Sequence, residues 1–250
     1  LPALMFLAAG AMILGGCNAV PVEHNVAEGA VDKADTAWML ASAALVMLMT
    51  PALALFYGGL VRQKNILSIF MQCFVALGVI SIQWVLIGYS LAFSPSALKI
   101  GDYGLLGGLS FAGANFGPNV LLQPSTVYAT SIPHRLFMVY QCMFAIITPA
   151  LIAGAFAERM KFKTYLVFIL LWTTLVYDPI CHWVWNPEGW LLKRGSLDFA
   201  GGTVVHMSSG VAALVAALVI KPRRGFPREA FLPHNLVFTV LGAGLLWFGW

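Results

Sequence analysis

One stretch of this chain sets a carboxylate, two adjacent glycines and an imidazole inside apolar surroundings: Asp198-Phe199-Ala200-Gly201-Gly202-Thr203-Val204-Val205-His206. A carboxylate ahead of an apolar segment can accept from the free N–H groups of a helix's first turn, and it can also support a cation site electrostatically. Gly201 and Gly202 expose backbone in the same turn. If the whole stretch is helical, His206 lies roughly 12 Å deeper than Asp198. An imidazole at that depth is either an interhelical hydrogen-bond partner or a pore-lining proton relay, and both readings stay open. Tyr140 and Phe144 stand four residues apart, so they share one helix face as core packing or as part of an aromatic wall. Tyr177–Trp185 ends in His182-Trp183-Val184-Trp185. Tryptophans there anchor a membrane interface, yet several rings converging on one mouth would also hold a small cation by cation–π attraction. There is no Walker-type loop, no metal-ligand spacing and no nucleophile–base pair, so neither an enzyme nor a metal or cofactor is expected.

The elements that position these residues follow from composition. Hydrophobic residues make up 60% of the chain and charged residues 10%, against about 25% charged in a soluble domain. The uncharged runs 36–61, 66–98, 136–157 and 199–220 each reach the ~20 residues that cross a bilayer. A fourth-segment run from Thr164 to Trp185 is broken only by Asp178 and His182, and a last run from Ala230 is still apolar at Trp250. The expected class is all-α, a polytopic membrane helical bundle of six segments with the sixth cut short. Unbroken runs of this length do not suit a β-barrel, whose strands alternate.

The net charge of +4 does not mark a nucleic-acid surface, because the basic residues lie in short connections. Arg62 and Lys64, then Arg159, Lys161 and Lys163, then Lys221, Arg223, Arg224 and Arg228 outweigh Lys33, Lys99, Arg135, Lys193 and Arg194 in the other set. The positive-inside rule makes the richer set cytoplasmic and starts the first span outside.

Residues 1–16 read as a signal peptide, since their apolar stretch is too short to span and ends in Leu14-Gly15-Gly16. Cys17 then stands as in a lipoprotein cleavage site, while Cys73, Cys142 and Cys181 read as small buried hydrophobes. Residues 17–35 form a polar external lead-in, and 36–250 one membrane domain. Thr50-Pro51 and Pro149 should kink the first and third segments. Residues 94–131, rich in Gly, Pro, Ser and Asn, read as an external loop with room for a short interfacial helix. In the fifth segment Gly202, Gly210, Ala213 and Ala217 suggest a close helix–helix approach.

Taken as a set, Phe56-Tyr57-Gly58-Gly59-Leu60-Val61-Arg62 with Lys64-Asn65, Ala157-Glu158-Arg159, His182–Trp185, Asp198–His206, Pro233-His234-Asn235 and Leu246–Trp250 resemble the ammonium transporter (Amt/MEP) family. The resemblance runs from about Ala37 to Trp250. It implies a fold of eleven helices, two inverted five-helix repeats around a narrow pore, assembled as a homotrimer in the cytoplasmic (inner) membrane. The chain would then hold the first repeat and the start of the sixth helix.

Position by position, Trp185 and Phe144, with Tyr140 beside them, resemble the outer ammonium-recruitment site, and Phe144 also the outer gate residue. Asp198 resembles a buried carboxylate that orders the backbone near Ala200. His206 looks like the first of twin pore histidines, and Trp250 like a pore-wall tryptophan. Two departures stand out: Tyr140 replaces a common phenylalanine, and Asn186-Pro187-Glu188 replaces a glycine run and lengthens the mouth loop.

The implied activity is passage of ammonium or ammonia, with methylammonium as analogue. The cation is recruited outside, loses its proton, and crosses as ammonia past the histidines. A PII-family protein is the implied partner at the cytoplasmic face. An ammonium sensor on the same fold is the alternative. A Rhesus-type gas channel is disfavoured by the form of Asp198–His206.

Overall fold

A computed structural model describes residues 31–116, 124–125 and 127–250. The signal-peptide and Cys17 expectations, and residues 17–30 of the polar lead-in, lie outside the described residues. Among the described residues six helices carry the architecture: α1 Lys33–Leu60, α2 Gln63–Phe93, α3 His134–Phe156, α4 Phe162–Trp185, α5 Gly202–Ile220 and α6 Leu236–Gly249. The first five are long and apolar enough to cross a membrane by length and composition, and α6 is apolar but shorter. This is the expected multi-pass helical bundle.

Local chemistry sets the helix ends. The Asp32 carboxylate accepts from Asp35 N at 2.8 Å and so opens α1 before the polar lead-in was expected to finish. Asn235 does the same for α6, accepting from Phe238 N at 3.2 Å. Pro51 and Pro149 lie inside continuous helices. Beside Pro149, the Thr148 hydroxyl donates back to the Phe144 carbonyl at 2.6 Å.

α1 packs along α6, α3 and α2, while α3 reaches α5 and α2 reaches α4. Close approach occurs where α6 crosses α1. A Cβ on Gly242 would come within 2.7 Å of the Ala52 carbonyl oxygen, and one on Gly249 within 2.8 Å of that of Leu45. Any larger residue there pushes the two helices apart. In α5, where a small-residue stripe was expected to do this, a Cβ on Gly210 would meet open space, while Ala213 packs against the core. α5 leaves Val211, Leu214 and Leu218 exposed, and α6 leaves Val240, Trp247 and Phe248 exposed.

Three spans contain a π-turn: Trp84–Gly88 in α2, Thr173–Tyr177 in α4 and Gly202–Met207 in α5. Such turns add a residue to one turn, rotate the side chains that follow and recur at functional positions. They put Gln83, Asp178 and His206 beside or inside a π-turn.

Within the connection 94–131, described residues form two short antiparallel strand pairs. β1 Ser96–Ile100 pairs antiparallel with β2 Tyr103–Gly107, and β3 Pro124–Ser125 pairs with β4 Ala129–Pro133. A 3-10 turn at Ala112–Ala114 stands where a short interfacial helix had room. The β1–β2 turn needs Gly101, whose φ is +59°. At the opposite end the three basic connections meet. Arg62 forks onto Glu158, with Nη2 at 2.6 Å from Oε2, and reaches Glu229 at 3.3 Å. Arg159 Nη1 donates to the Lys221 carbonyl at 3.1 Å. Grouping these connections at one end is what the charge-based topology requires.

Candidate functional site: an aromatic cluster beside His206

α3 presents Tyr140 and Phe144 on one face, with ring centroids 5.0 Å apart and planes at 83°. Phe144 in turn meets Trp185, at the end of α4, at 6.3 Å and 71°. All three rings are half-buried. Edge-to-face contacts of this kind fix ring orientation and leave faces available to a cation. Trp185 Nε1 donates to the Asp198 main-chain carbonyl at 2.9 Å, so the aromatic wall is tied to the segment that leads into α5.

Asp198 is a cap at a distance. α5 starts at Gly202 rather than near Phe199, because Gly201 adopts a left-handed φ of +80° and the helix begins after it. The Asp198 carboxylate spans that loop. Oδ1 accepts from Gly202 N at 2.7 Å, and Oδ2 from Thr203 N and Val204 N at 2.8 and 2.9 Å. Both carboxylate oxygens are therefore held by the amides they cap. The side chain is half-buried rather than buried, and Ala200 and Phe199 between it and Gly201 are exposed.

The later start also shortens the path. Only four residue steps separate Gly202 from His206, roughly 6 Å of rise instead of 12. His206 N bonds to the Gly201 carbonyl five residues back at 3.0 Å, which closes the π-turn. The imidazole makes no side-chain hydrogen bond among the described residues. It lies against Trp250 at the end of α6, with centroids 5.2 Å apart. Of the two readings of His206, an interhelical hydrogen bond is not what this geometry offers. The expected site residues therefore fall into two groups: Tyr140, Phe144, Trp185 and Asp198 in one, His206 with Trp250 in the other. Ala200 contributes only exposed backbone between them.

The family model described as "Ammonium Transporter Family" matches residues 37–250. The chain belongs to this family. It is 51% identical over 216 residues to the ammonium transporter of Bacillus subtilis (strain 168), a match covering 86% of this chain and 50% of that protein. The crystal structure of Saccharomyces cerevisiae Mep2 superposes with a TM-score of 0.74 at 44% identity, over 88% of this chain and 49% of Mep2. A structure titled "Sensor Amt Protein" gives a TM-score of 0.73 at 28% identity, over 86% and 52% of the two chains. The chain thus spans about half the length of the relatives it matches.

In this member of the Ammonium Transporter Family the altered mouth loop is well tied down. Asn186 Nδ2 donates to the carbonyls of Ala92 and Ser94 at 3.2 and 3.0 Å, and its Oδ1 accepts from Glu188 N at 2.9 Å. Glu188 accepts from Ser96 N and pairs with Lys99, both at 2.8 Å, which clips β1 to the rim. His182 completes the clip. Nδ1 bonds to the Ala92 carbonyl at 2.9 Å, which places the proton there and leaves Nε2 to accept from Ser96 Oγ at 2.8 Å.

Burial alone would push the Glu188 carboxyl up, but Lys99 and Ser96 outweigh it and hold the group down at about 2. A depressed carboxyl stabilises the fold above its unfolded value, and that contribution is lost as pH falls through the folded value. Glu188→Gln is therefore expected to flatten the acid limb of the thermal midpoint between pH 4.5 and about 2. Partial exposure limits the effect to about 1 kcal/mol or less. Thermal scans of the complete protein in detergent check this.

One buried pair stands outside the expected site residues. Asp178 in α4 is fully buried and its Oδ2 accepts from Gln83 Nε2 of α2 at 2.6 Å. Gln83 also reaches Thr174 Oγ1 at 3.1 Å. The signal was present: Asp178 is a carboxyl inside an apolar run, which is costly and so carries a role. Here it joins α4 to α2.

Proposed function

We propose that the complete protein carries ammonium across the cytoplasmic membrane and acts as a transporter rather than an enzyme. The reading rests on one feature, the edge-to-face line Tyr140–Phe144–Trp185 tied through Trp185 to Asp198 and leading to His206. Ammonium is recruited against the three rings, with Asp198 holding the backbone of the mouth. A charge does not cross a narrow apolar pore cheaply, so the cation leaves its proton behind and ammonia moves past His206 and Trp250. An imidazole both donates and accepts, which suits a polar molecule crossing an otherwise apolar path.

The organisation proposed with this is a cleaved signal peptide over 1–16, an external segment over 17–35 and the membrane domain over 36–250. The N-terminus lies outside and the basic connections lie in the cytoplasm, where a PII-family protein docks on a homotrimer. A sensor of ammonium on the same fold ranks second, because the aromatic mouth and His206 would serve either use.

Saturable methylammonium uptake into proteoliposomes by the complete protein tests the reading. Trp185→Leu is expected to raise the half-saturating concentration about 3- to 30-fold, the range of a desolvated cation–π contact. Trp185→Phe should recover most of it. Uptake that is absent in the wild type, or equal in all three proteins, would overturn the assignment.

A further inference from the structure

A π-turn is a weak point in a span, because it holds one residue more than the turns on either side. If it reverted to ordinary α-helix, everything after it would rotate by about 100°, the angle of one residue. In α4 the π-turn Thr173–Tyr177 lies directly before Asp178–Trp185, the helical stretch that delivers Trp185. Pro179, two residues past the turn, has no N–H to return to it. Another group must hold the rotation.

One amide from α2 does. Gln83 Nε2 donates to Thr174 Oγ1 inside the turn at 3.1 Å and to Asp178 Oδ2 just after it at 2.6 Å. Thr174 is itself fixed, its hydroxyl donating to the Leu170 carbonyl at 2.9 Å. Gln83 and Asp178 are buried, and their other oxygens, Oε1 and Oδ1, have no partner among the described residues. An unpaired polar group in apolar surroundings is costly, so the bond that remains is kept.

The α2 side is shaped for this contact. Gln83 is followed by the π-turn Trp84–Gly88 of its own helix. Its amide lies over Gly88, where a Cβ would come within 2.7 Å of Gln83 Oε1 and 2.9 Å of Nε2. His182 and Asn186, four and eight residues beyond Asp178, also tie α4 to α2, both at the Ala92 carbonyl. Those bonds lie beyond the π-turn, whereas Gln83 spans it.

We propose that Gln83 is a positioning residue for ammonium recruitment: by bracketing the π-turn of α4 it fixes the rotation at which that helix presents Trp185 to Phe144. The proposal rests on the reading of Trp185 as a recruiting ring. At a helix radius of about 5–6 Å, a rotation of about 10° moves a side chain roughly 1 Å. A displacement of that size matters where ring faces must converge on one small cation.

The test places fluorotryptophan in the complete protein and follows the fluorine resonance of Trp185, assigned by its absence from Trp185→Phe. Half-saturating concentrations for methylammonium uptake are measured alongside. Gly88→Ala pushes the Gln83 amide aside without touching α4. Gln83→Leu combined with Asp178→Leu removes both polar groups at once, which spares the fold an unpaired partner. Both proteins are expected to shift or split the Trp185 resonance and to raise the half-saturating concentration about threefold, with the maximal rate little changed. Asp178→Asn, whose amide oxygen still accepts from Gln83, should match wild type in both readouts. A bond that only stabilised the fold would move thermal midpoints and leave the resonance where it is. A Trp185 resonance unmoved in Gly88→Ala and in the paired variant overturns the proposal, and so does one that Asp178→Asn moves as far as they do. If the paired variant fails to fold, Gly88→Ala decides. A wild type without methylammonium uptake overturns the transport reading instead, since the resonance reports ring position whether or not the protein transports.

Discussion

Asp198→Ala in the complete protein is expected to lower methylammonium uptake roughly 30-fold or more, the equivalent of about 2 kcal/mol. The carboxylate satisfies three consecutive amides at the start of α5, and alanine leaves all three without an acceptor. A lost helix cap alone costs about 1 kcal/mol, and hydrogen bonds to a charged acceptor are worth about 1.5–3 kcal/mol. The damage would not stay local. Gly201 holds its left-handed turn within the loop that Asp198 closes, and the Asp198 carbonyl is what Trp185 Nε1 bonds to. Freeing the loop therefore loosens the aromatic mouth and the π-turn that carries His206 together. Asp198→Asn should fall between wild type and alanine, because one amide oxygen can still accept while its NH2 faces donors. Uptake assays on monodisperse protein, with thermal midpoints measured in parallel, check the prediction. Uptake unchanged in Asp198→Ala would show that the capped loop has no bearing on transport.

Helices α1 to α5 could be read directly because unbroken apolar runs leave a bilayer-embedded backbone no alternative to helix. The Tyr140–Phe144 pair was legible for a similar reason, since spacing by four places two side chains on one face whatever surrounds them. Other features were not. The hairpin Ser96–Ile100 with Tyr103–Gly107 is largely exposed along β1, so it lacks the alternation that marks a strand, and its turn residues read as loop. The start of α5 was placed too early because the apolar character of Phe199 and Ala200 says nothing about the left-handed turn at Gly201. The depth assigned to His206 was too large as a result.

The Asp178–Gln83 bond joins residues far apart in the chain, and periodicity within either helix cannot announce a partner in another. Nor did the residues themselves place His206 beside Trp250. The family resemblance assigned each a place along a pore without pairing them, and in the structure their rings meet at 5.2 Å.

His206→Ala should separate stability from transport. Among the described residues its imidazole makes no side-chain hydrogen bond, and its one ring contact is with Trp250, so alanine is expected to shift the fold by less than about 1 kcal/mol. Uptake of methylammonium is nevertheless expected to fall about a hundredfold, the lower range for removal of a positioned proton-transfer group. His206→Gln distinguishes the two things an imidazole can supply. A glutamine side chain donates and accepts hydrogen bonds but does not take up a proton near neutral pH. If Gln restores uptake, His206 acts by hydrogen-bonding the passing ammonia. If Gln is as slow as Ala, the imidazole moves protons. Wild-type uptake in His206→Ala would remove His206 from the path altogether, and the aromatic mouth would then have to lead elsewhere.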